Sequence, residues 1–295
     1  MDPTLEDYLQ PEPVERLNLT ATHDKILITW SYPEKAKTKI ESFMLERENN
    51  GEKKVLGYYD KNTTSLEDKD FQFEKTYKYR IFAIRPKGIY SRPTEAMIKP
   101  QKLPEIEKIQ YKITPQGVML LWDTQNALNY NLYRVNPRGD RVKIGSTDKN
   151  NFSDELLHPT ILAFTTPSKP ELSYVITTYI IAESTFMESK GTHITIPLDS
   201  FIPSKPQEVF WSINEQGVYI SWKEVSERWS KGYKIYRKIA GEKEFKPIGE
   251  TMIPLFFDAD YNISNIKGII YYKITTIGPL RESEEVEIRV EVHFG

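Results

Sequence analysis

The sequence predicts an all-β protein made of three tandem antiparallel β-sandwiches arranged as an elongated rod. One residue pattern occurs three times along the 295 residues. The hydrophobic residues of short runs alternate with a period of two, and no long segment has the 3.6-residue period of a helix. Because 39% of the residues are hydrophobic, each sandwich can bury a core of its own.

The repeated pattern begins with a strand that ends in tryptophan. In each copy an arginine follows, then two glycine turns, an aspartate and a Tyr-x-aliphatic strand. The tryptophans are Trp30, Trp122 and Trp222, the arginines Arg47, Arg134 and Arg237, the aspartates Asp68, Asp154 and Asp258, and the tyrosines Tyr79, Tyr174 and Tyr272. The same order in every copy indicates one folding unit used three times. We interpret the recurrent aspartate as a turn residue.

The strands themselves are recognised by their alternation. In the first copy Ile26, Ile28 and Trp30 alternate with Leu27 and Thr29, as in a strand with one buried face. β-branched and aromatic residues fill such runs, and Gly, Asn, Asp and Pro separate them, which is typical of an antiparallel sandwich. The predicted structural core is built around Trp30, Trp122, Trp222, Tyr77, Tyr79, Tyr174 and Tyr272.

The repeats also predict the domain boundaries. We expect an N-terminal tether over residues 1–10, followed by domains over residues 11–101, 102–202 and 203–295. Residues 1–13 contain Pro3, Pro11 and Pro13 together with the acidic Asp2, Glu6 and Asp7, which indicates an extended segment. Both linkers between the domains are short and contain proline, so we expect them to be semi-rigid.

Over residues 11–295 the chain resembles the fibronectin type III family. The resemblance depends on the opening Pro13-Val14-x-x-Leu17, the three strand-ending tryptophans, the Tyr77-x-Tyr79-x-Ile81-x-Ala83 strand and the Ser91-x-Pro93 motif. It implies immunoglobulin-like sandwiches that bind other molecules or act as spacers. It also implies that Tyr77 is a corner tyrosine with a phenol hydrogen bond. Leu172 and Ile270 replace this tyrosine in the other copies, which we expect to turn the corner by packing alone.

The composition and motifs exclude several classes of function. The chain has no cysteine, and its 40 basic and 42 acidic residues nearly cancel, which argues against thiol chemistry and against bulk binding to nucleic acid. The four histidines are scattered, without the spacing of a metal site. We therefore predict no catalytic residue, no cofactor, no metal and no transmembrane span, and we do not expect an enzyme.

Two local patterns are similar to known binding motifs. Arg138-Gly139-Asp140 has the sequence of an integrin-binding signal, but the other copies also place glycine before an acidic residue here, so we favour a turn. Asp258, Asp260 and Asn262 alternate as oxygen ligands of calcium would, but the later glycine and bidentate glutamate are missing. We favour turn chemistry there too.

Three groups of residues are candidates for binding a partner. Basic and aromatic side chains share a loop of the first repeat, and apolar residues fill an insertion in the second. In the third repeat, Trp229 is flanked by polar neighbours, so we expect it to be exposed. The loop candidates are Arg85, Lys87, Tyr90 and Arg92, and those of the insertion are Leu162 and Phe164. The alternative for the loop is a solvated segment in which Tyr90 packs on its own sheet. The alternative for the insertion is that its apolar residues cover the end of their own sandwich.

These features predict a non-catalytic protein-binding or spacer protein. We expect a bacterial lipoprotein of the cell envelope or surface, lacking its leader and carrying an N-terminal lipid anchor in its native form. A cytoplasmic location is the alternative. The partner is expected to be another protein, with a glycan as a second class. Two alternative functions remain open: a structural subunit of an envelope or filament assembly, and an accessory glycan-binding module of a polysaccharide-degrading system.

Overall fold

The computed structural model describes residues 10–123, 128–182, 185–259 and 268–292. Strands dominate these residues, which confirms the predicted all-β fold class. The described helices are α1 (Glu34–Lys37), α2 (His158–Ala163) and a 3-10 turn (Leu198–Ser200). The longest has six residues, whereas a bilayer needs about 20, so none of the described helices can span a membrane. Residues 1–9 of the expected tether lie outside the described residues.

Contacts between residues divide the chain into two compact units. The first covers residues 1–107, 124–131 and 176–192, and the second covers residues 108–123, 132–175 and 193–295. The names first, second and third repeat are used below for residues 11–101, 102–202 and 203–295. Residues of the second repeat therefore belong partly to each unit, and the division into three domains stays a prediction.

The first unit contains the sandwich of the first repeat. Its strands are β1 (Arg16–Ala21), β2 (Ile26–Ser31), β3 (Ser42–Asn49), β4 (Glu52–Asp60), β5 (Ser65–Asp68), β6 (Tyr77–Arg85), β7 (Ile89–Tyr90) and β8 (Thr94–Ile98). One sheet has the order β1-β2-β5, and the other has the order β4-β3-β6 with β7 and β8 both paired to β6. All these pairings are antiparallel.

The core of this sandwich follows the alternation in the sequence. Ile26, Ile28 and Trp30 point inward from β2 and are buried. Tyr79 and Ile81 face them from β6. Because each buried aromatic side chain removes about 150–250 Å² from water, these residues dominate the stability of the first repeat.

The corner before β6 is closed as the family resemblance implies. The backbone N–H of Gln72 donates a 2.8 Å hydrogen bond to the Tyr77 hydroxyl. The residues at the equivalent positions, Leu172 and Ile270, are fully buried. The first repeat thus fixes its corner with a hydrogen bond, whereas the others fill the position with an aliphatic side chain.

Strand β1 has a second neighbour that does not come from its own repeat. β15 (Thr185–Glu188) pairs with it in parallel, with Thr20 opposite Phe186 and Ala21 opposite Met187. Met187 is buried in the hydrophobic core of the first repeat. Since β15 also pairs with the end of β14 (Glu171–Ala182), the sheet of the first repeat continues into strands of the second.

The second unit contains strands of the second and third repeats. Its strands from the second repeat are β9 (Ile109–Thr114), β10 (Gly117–Trp122), β11 (Asn129–Val135), β12 (Arg141–Thr147), β13 (Asn151–Glu155), β14 and β16 (Thr192–Pro197). Three of them, β11, β14 and β16, run partly through the first unit. Strand β10 pairs with β9 and β13 in an antiparallel sheet. Val118, Leu120 and Trp122 are its buried hydrophobic residues.

The third repeat is a sandwich with the same strand arrangement as the first, apart from the two-residue β7. Its strands are β17 (Gln207–Asn214), β18 (Gly217–Lys223), β19 (Gly232–Ile239), β20 (Lys246–Thr251), β21 (Leu255–Asp258), β22 (Gly268–Ile277) and β23 (Val286–Val292). The two sheets have the orders β17-β18-β21 and β20-β19-β22-β23. Trp222 packs edge-on against Tyr233 in the core, with ring centroids 5.1 Å apart.

Candidate functional site

The recurrent arginine, aspartate and tyrosine meet in the interior of each repeat. In the first repeat, Asp68 Oδ2 accepts hydrogen bonds from Arg47 Nη1 and from the Tyr79 hydroxyl, both at 2.8 Å. The arginine comes from β3, the aspartate from the end of β5 and the tyrosine from β6. The same two contacts, arginine to aspartate and tyrosine to aspartate, are made by Arg134, Asp154 and Tyr174, and by Arg237, Asp258 and Tyr272.

These triads explain why the aspartate recurs. Burial, followed by the negative charge of Asp68, raises the pKa of Tyr79 well above its usual range, so its hydroxyl stays protonated and donates. The pKa of Tyr174 is raised for the same reasons. A buried ion pair that loses one partner typically costs 3–5 kcal/mol, so the triads are structural elements of the sandwich. The aspartate was interpreted from the sequence as a turn residue, and its arginine and tyrosine partners were missed.

The end of the first repeat near α1 carries a basic pocket. Its volume is about 490 Å³, and it is lined by Gln10, Pro11, Glu12, Tyr32, Lys35, Ala36, Lys39 and Arg85. The cationic side chains come from two elements, the segment between β2 and β3 and the end of β6. Three cations therefore face one carboxylate, which favours an anionic ligand.

The electrostatics of this pocket are uneven. Among the described residues, no carboxylate lies within 4.0 Å of the ammonium groups of Lys35 and Lys39, whereas Lys37 pairs with Glu34 at 3.7 Å. The Tyr32 hydroxyl donates a 2.9 Å hydrogen bond to the backbone carbonyl of Glu12. This bond ties the start of the first repeat to Tyr32 in the pocket wall.

The predicted loop of the first repeat lies beside this pocket. Arg85 lines the pocket, and Lys87 and Gly88 form the turn between β6 and β7 with positive φ angles. Lys87 and Arg92 are exposed. The structure therefore brings Arg85 together with Lys35 and Lys39, which the sequence did not single out because they are distant in the chain.

Tyr90 belongs to a different surface from the basic side chains. It is 37% exposed and packs edge-on against Phe82, with ring centroids 6.0 Å apart. A hydrogen bond with Tyr58 is the main cause of its raised pKa. Tyr90 thus packs partly on its own sheet while one edge of its ring stays accessible.

The insertion of the second repeat packs against its own sandwich and, through His158, also contacts the third repeat. Ile161 of α2 is buried together with Leu156. Phe164 lies under the Arg134 guanidinium, 5.2 Å from the ring centroid, and Leu162 is exposed. Of the two predicted residues, Phe164 therefore packs on the triad arginine, and Leu162 is the one that a partner can reach.

The expectation that Trp229 is exposed is wrong, because only 1% of the residue is accessible. Its indole packs edge-on against Phe201 at 5.2 Å, and Nε1–H donates a 2.8 Å hydrogen bond to the carbonyl of Thr114. The backbone N–H of Arg228 bonds the carbonyl of Pro115 at 2.9 Å. The polar neighbours suggested exposure, but the ring inserts against the second repeat, so Trp229 joins the two repeats within the second unit.

In the described residues, the two sequence patterns similar to binding motifs have structural roles. In Arg138-Gly139-Asp140, the Asn136 side chain accepts hydrogen bonds from the backbone N–H groups of Arg138 and Asp140, and Gly139 has a φ of 92°. This is a side-chain-capped turn. Of the calcium pattern, Asp258 belongs to a triad, and Asp260 and Asn262 lie outside the described residues. The described residues contain no group of three or more His, Asp or Glu arranged to hold a metal.

Comparisons with known proteins return structures but no sequence relatives. No family model matches the chain, and no curated protein matches it. A crystal structure of the FN1–FN3 domains of chicken CNTN1 is 14% identical, with a TM-score of 0.31, and covers 96% of this chain and 100% of its own. A two-domain fibronectin type III segment of chicken tenascin is 15% identical, with a TM-score of 0.28, over 62% of this chain and 98% of its own.

A computer-based redesign of a β-sandwich protein is 21% identical, with a TM-score of 0.28, over 32% of this chain and 98% of its own. The internal geometry of this chain is more informative than these scores. The first and third repeats share their two-sheet strand order, and all three repeats share the buried tryptophan and the Arg–Asp–Tyr triad. The all-β architecture of this chain fits tandem fibronectin type III repeats.

Proposed function

We propose that this chain is a non-catalytic protein-binding and spacer protein whose first repeat binds an acidic segment of a partner protein. The observation that carries the proposal is the pocket where Lys35 and Lys39 lie beside Arg85. The proposal includes the three-domain division at residues 11–101, 102–202 and 203–295. It also includes a location at the cell envelope or surface, supported by the proline-rich acidic sequence of residues 1–13.

Charge distribution supports an acidic ligand. The whole chain has a formal net charge of −2, so its average field does not attract anions. The basic pocket is a local exception, and Lys87 and Arg92 extend its positive charge on the same repeat. Local positive potential on an otherwise neutral protein steers an acidic partner to one site. Lys35 and Lys39 can pair with its carboxylates without breaking any ion pair described in this structure.

The test measures binding of a fluorescent octaglutamate peptide by anisotropy at low salt. We expect the double variant Lys35→Glu/Lys39→Glu to weaken binding at least tenfold, because two attractive charges become repulsive. The control Lys53→Glu/Lys75→Glu changes the net charge equally on exposed lysines of the same repeat and should weaken binding less than threefold. Equal losses in both variants would show that peptide binding depends only on the net charge of the protein, and the proposed site would be wrong.

A further inference from the structure

The outer face of the three-stranded sheet in the third repeat is apolar. Across this sheet, Phe210 of β17 lies opposite Ser221 of β18, and Ser221 lies opposite Leu255 of β21. Two residues earlier in β18, Tyr219 lies opposite Phe257 of β21. The intervening residues of β18, Val218, Ile220 and Trp222, are buried in the core. Because side chains alternate along a strand, the rows that contain Phe210 and Tyr219 face outward.

These outward side chains are accessible in this chain. Phe210 is 68% exposed, Leu255 45% and Phe257 36%. Tyr219 stacks on Phe257 with ring centroids 4.2 Å apart and an interplanar angle of 19°. Met252, 83% exposed, and Ile253 precede β21 in the chain. We name the four residues that the register places on this face, Phe210, Tyr219, Leu255 and Phe257, the apolar face.

The other repeats are polar at the positions equivalent to Phe210, Leu255 and Phe257, whereas Leu27 and Met119 stand where the third repeat has Tyr219. In the first repeat, Asn18, Ser65 and Glu67 stand where the third has Phe210, Leu255 and Phe257. In the second repeat the equivalent residues are Gln110, Asn151 and Ser153. The sandwich therefore does not require apolar side chains at those three positions, and the apolar face is a specific property of the third repeat. An exposed apolar cluster of this kind marks an interaction surface.

The charges near this face indicate what can cover it. The charged residues of β17, β18 and β21 are Glu208, Lys223 and Asp258. Asp258 is buried in its triad, and Glu208 Oε1 lies 3.8 Å from Lys223 Nζ. An anionic surface or a strongly charged peptide would find no complementary excess charge. An uncharged, equally apolar surface fits better. The one negative and one positive charge at the end of this face, Glu208 and Lys223, are compatible with self-association.

We propose that the apolar face packs against the same face of a second copy of this chain. The face has few exposed side chains, so two copies packed through it bury less than the ~1,200–2,000 Å² of standard interfaces, as in weak or transient complexes. In a two-fold dimer the same patch serves both partners, and two flat sheets can pack about 10 Å apart with interdigitating side chains. The small area leads us to expect a dimer with a micromolar dissociation constant.

Sedimentation equilibrium of the whole chain tests this proposal. We expect the 34.5 kDa chain to dimerise reversibly, and Phe210→Ser/Leu255→Ser to raise the dissociation constant at least tenfold. The control Tyr58→Ser/Met97→Ser removes similarly exposed apolar side chains from the first repeat and should change it less than twofold. A wild-type chain that stays monomeric at ~200 µM would overturn the proposal and assign the face to a different protein. Equal effects of both variants would overturn it too.

A cross-linking experiment locates the interface independently. Because the chain has no cysteine, Ser221→Cys introduces a single thiol at the centre of the apolar face. A short bis-maleimide should link two copies of this variant. Thr29→Cys places the thiol at the equivalent position of the first repeat and should not be linked. Linking of both variants to the same extent, or of neither, would contradict a dimer through this face.

Discussion

The two junctions between neighbouring repeats are built from different interactions. The first and second repeats are joined by backbone pairing, in which Thr20 and Ala21 of β1 lie beside Phe186 and Met187 of β15. The second and third repeats are joined by the buried indole of Trp229, which bonds the carbonyl of Thr114, and by loop contacts such as the backbone bond from Arg228 to Pro115. A junction made by strand pairing tolerates many substitutions, whereas one that contains a single large buried side chain is sensitive to losing that side chain.

Replacing Trp229 should have the largest effect. We expect Trp229→Ala to lower the free energy of unfolding by about 3–5 kcal/mol, because it leaves a large cavity and an unpaired carbonyl on Thr114. Urea denaturation followed by circular dichroism measures this change. Trp211→Ala removes the same side chain from an exposed position and should cost less than half as much. Equal costs would mean that Trp229 does not hold the junction.

Replacing Met187 should have a smaller effect on the first junction. Its side chain is buried in the core of the first repeat, so Met187→Ala should lower the free energy of unfolding by about 2–4 kcal/mol. The backbone pairing of β15 with β1 is unaffected by the substitution, and we expect it to persist in amide hydrogen exchange. Met97→Ala, at an exposed position, is the control and should be nearly neutral. A neutral Met187→Ala would indicate that β15 is not docked.

Acidification should weaken only the second junction, and this is the smallest expected effect. Burial lowers the pKa of His158, and Lys231 lowers it further, although a hydrogen bond with the Trp229 backbone acts in the opposite direction. Below pH ~6.5 the unfolded chain therefore binds a proton that the folded chain resists, so the free energy of unfolding falls as the pH falls. Denaturation at pH 7.5 and 5.5 should show a smaller loss in His158→Gln than in the wild type. Identical losses would contradict this role.

Much of the fold could be predicted because its determinants are local. The alternation of Ile26, Ile28 and Trp30 predicts a strand with one buried face, and the structure has it. The threefold order of the landmarks predicts repeated sandwiches for the same reason. The triads were less accessible, because Arg47, Asp68 and Tyr79 lie on separate strands. Their contact depends on how those strands pack, which no local pattern encodes.

The junctions and the candidate sites depend on distant parts of the chain. Trp229 has polar neighbours in sequence, and only the approach of Phe201 and Thr114 buries it. Likewise, the loop that contains Arg85 was predicted as a candidate, but its pocket required Lys35 and Lys39 from another connection. The apolar face became visible only when the register aligned Phe210 with Leu255 across Ser221.

The parallel pairing of β1 with β15 has a consequence for synthesis of the chain. Without β15, β1 would be an open edge strand with unpaired backbone groups, the usual starting point of intermolecular aggregation. Its partner is made late, because Thr20 pairs with Phe186. At about 5–20 residues per second, the ribosome takes roughly 10–30 s to cover that distance. During translation the nascent first repeat therefore has an unprotected edge until β15 is made.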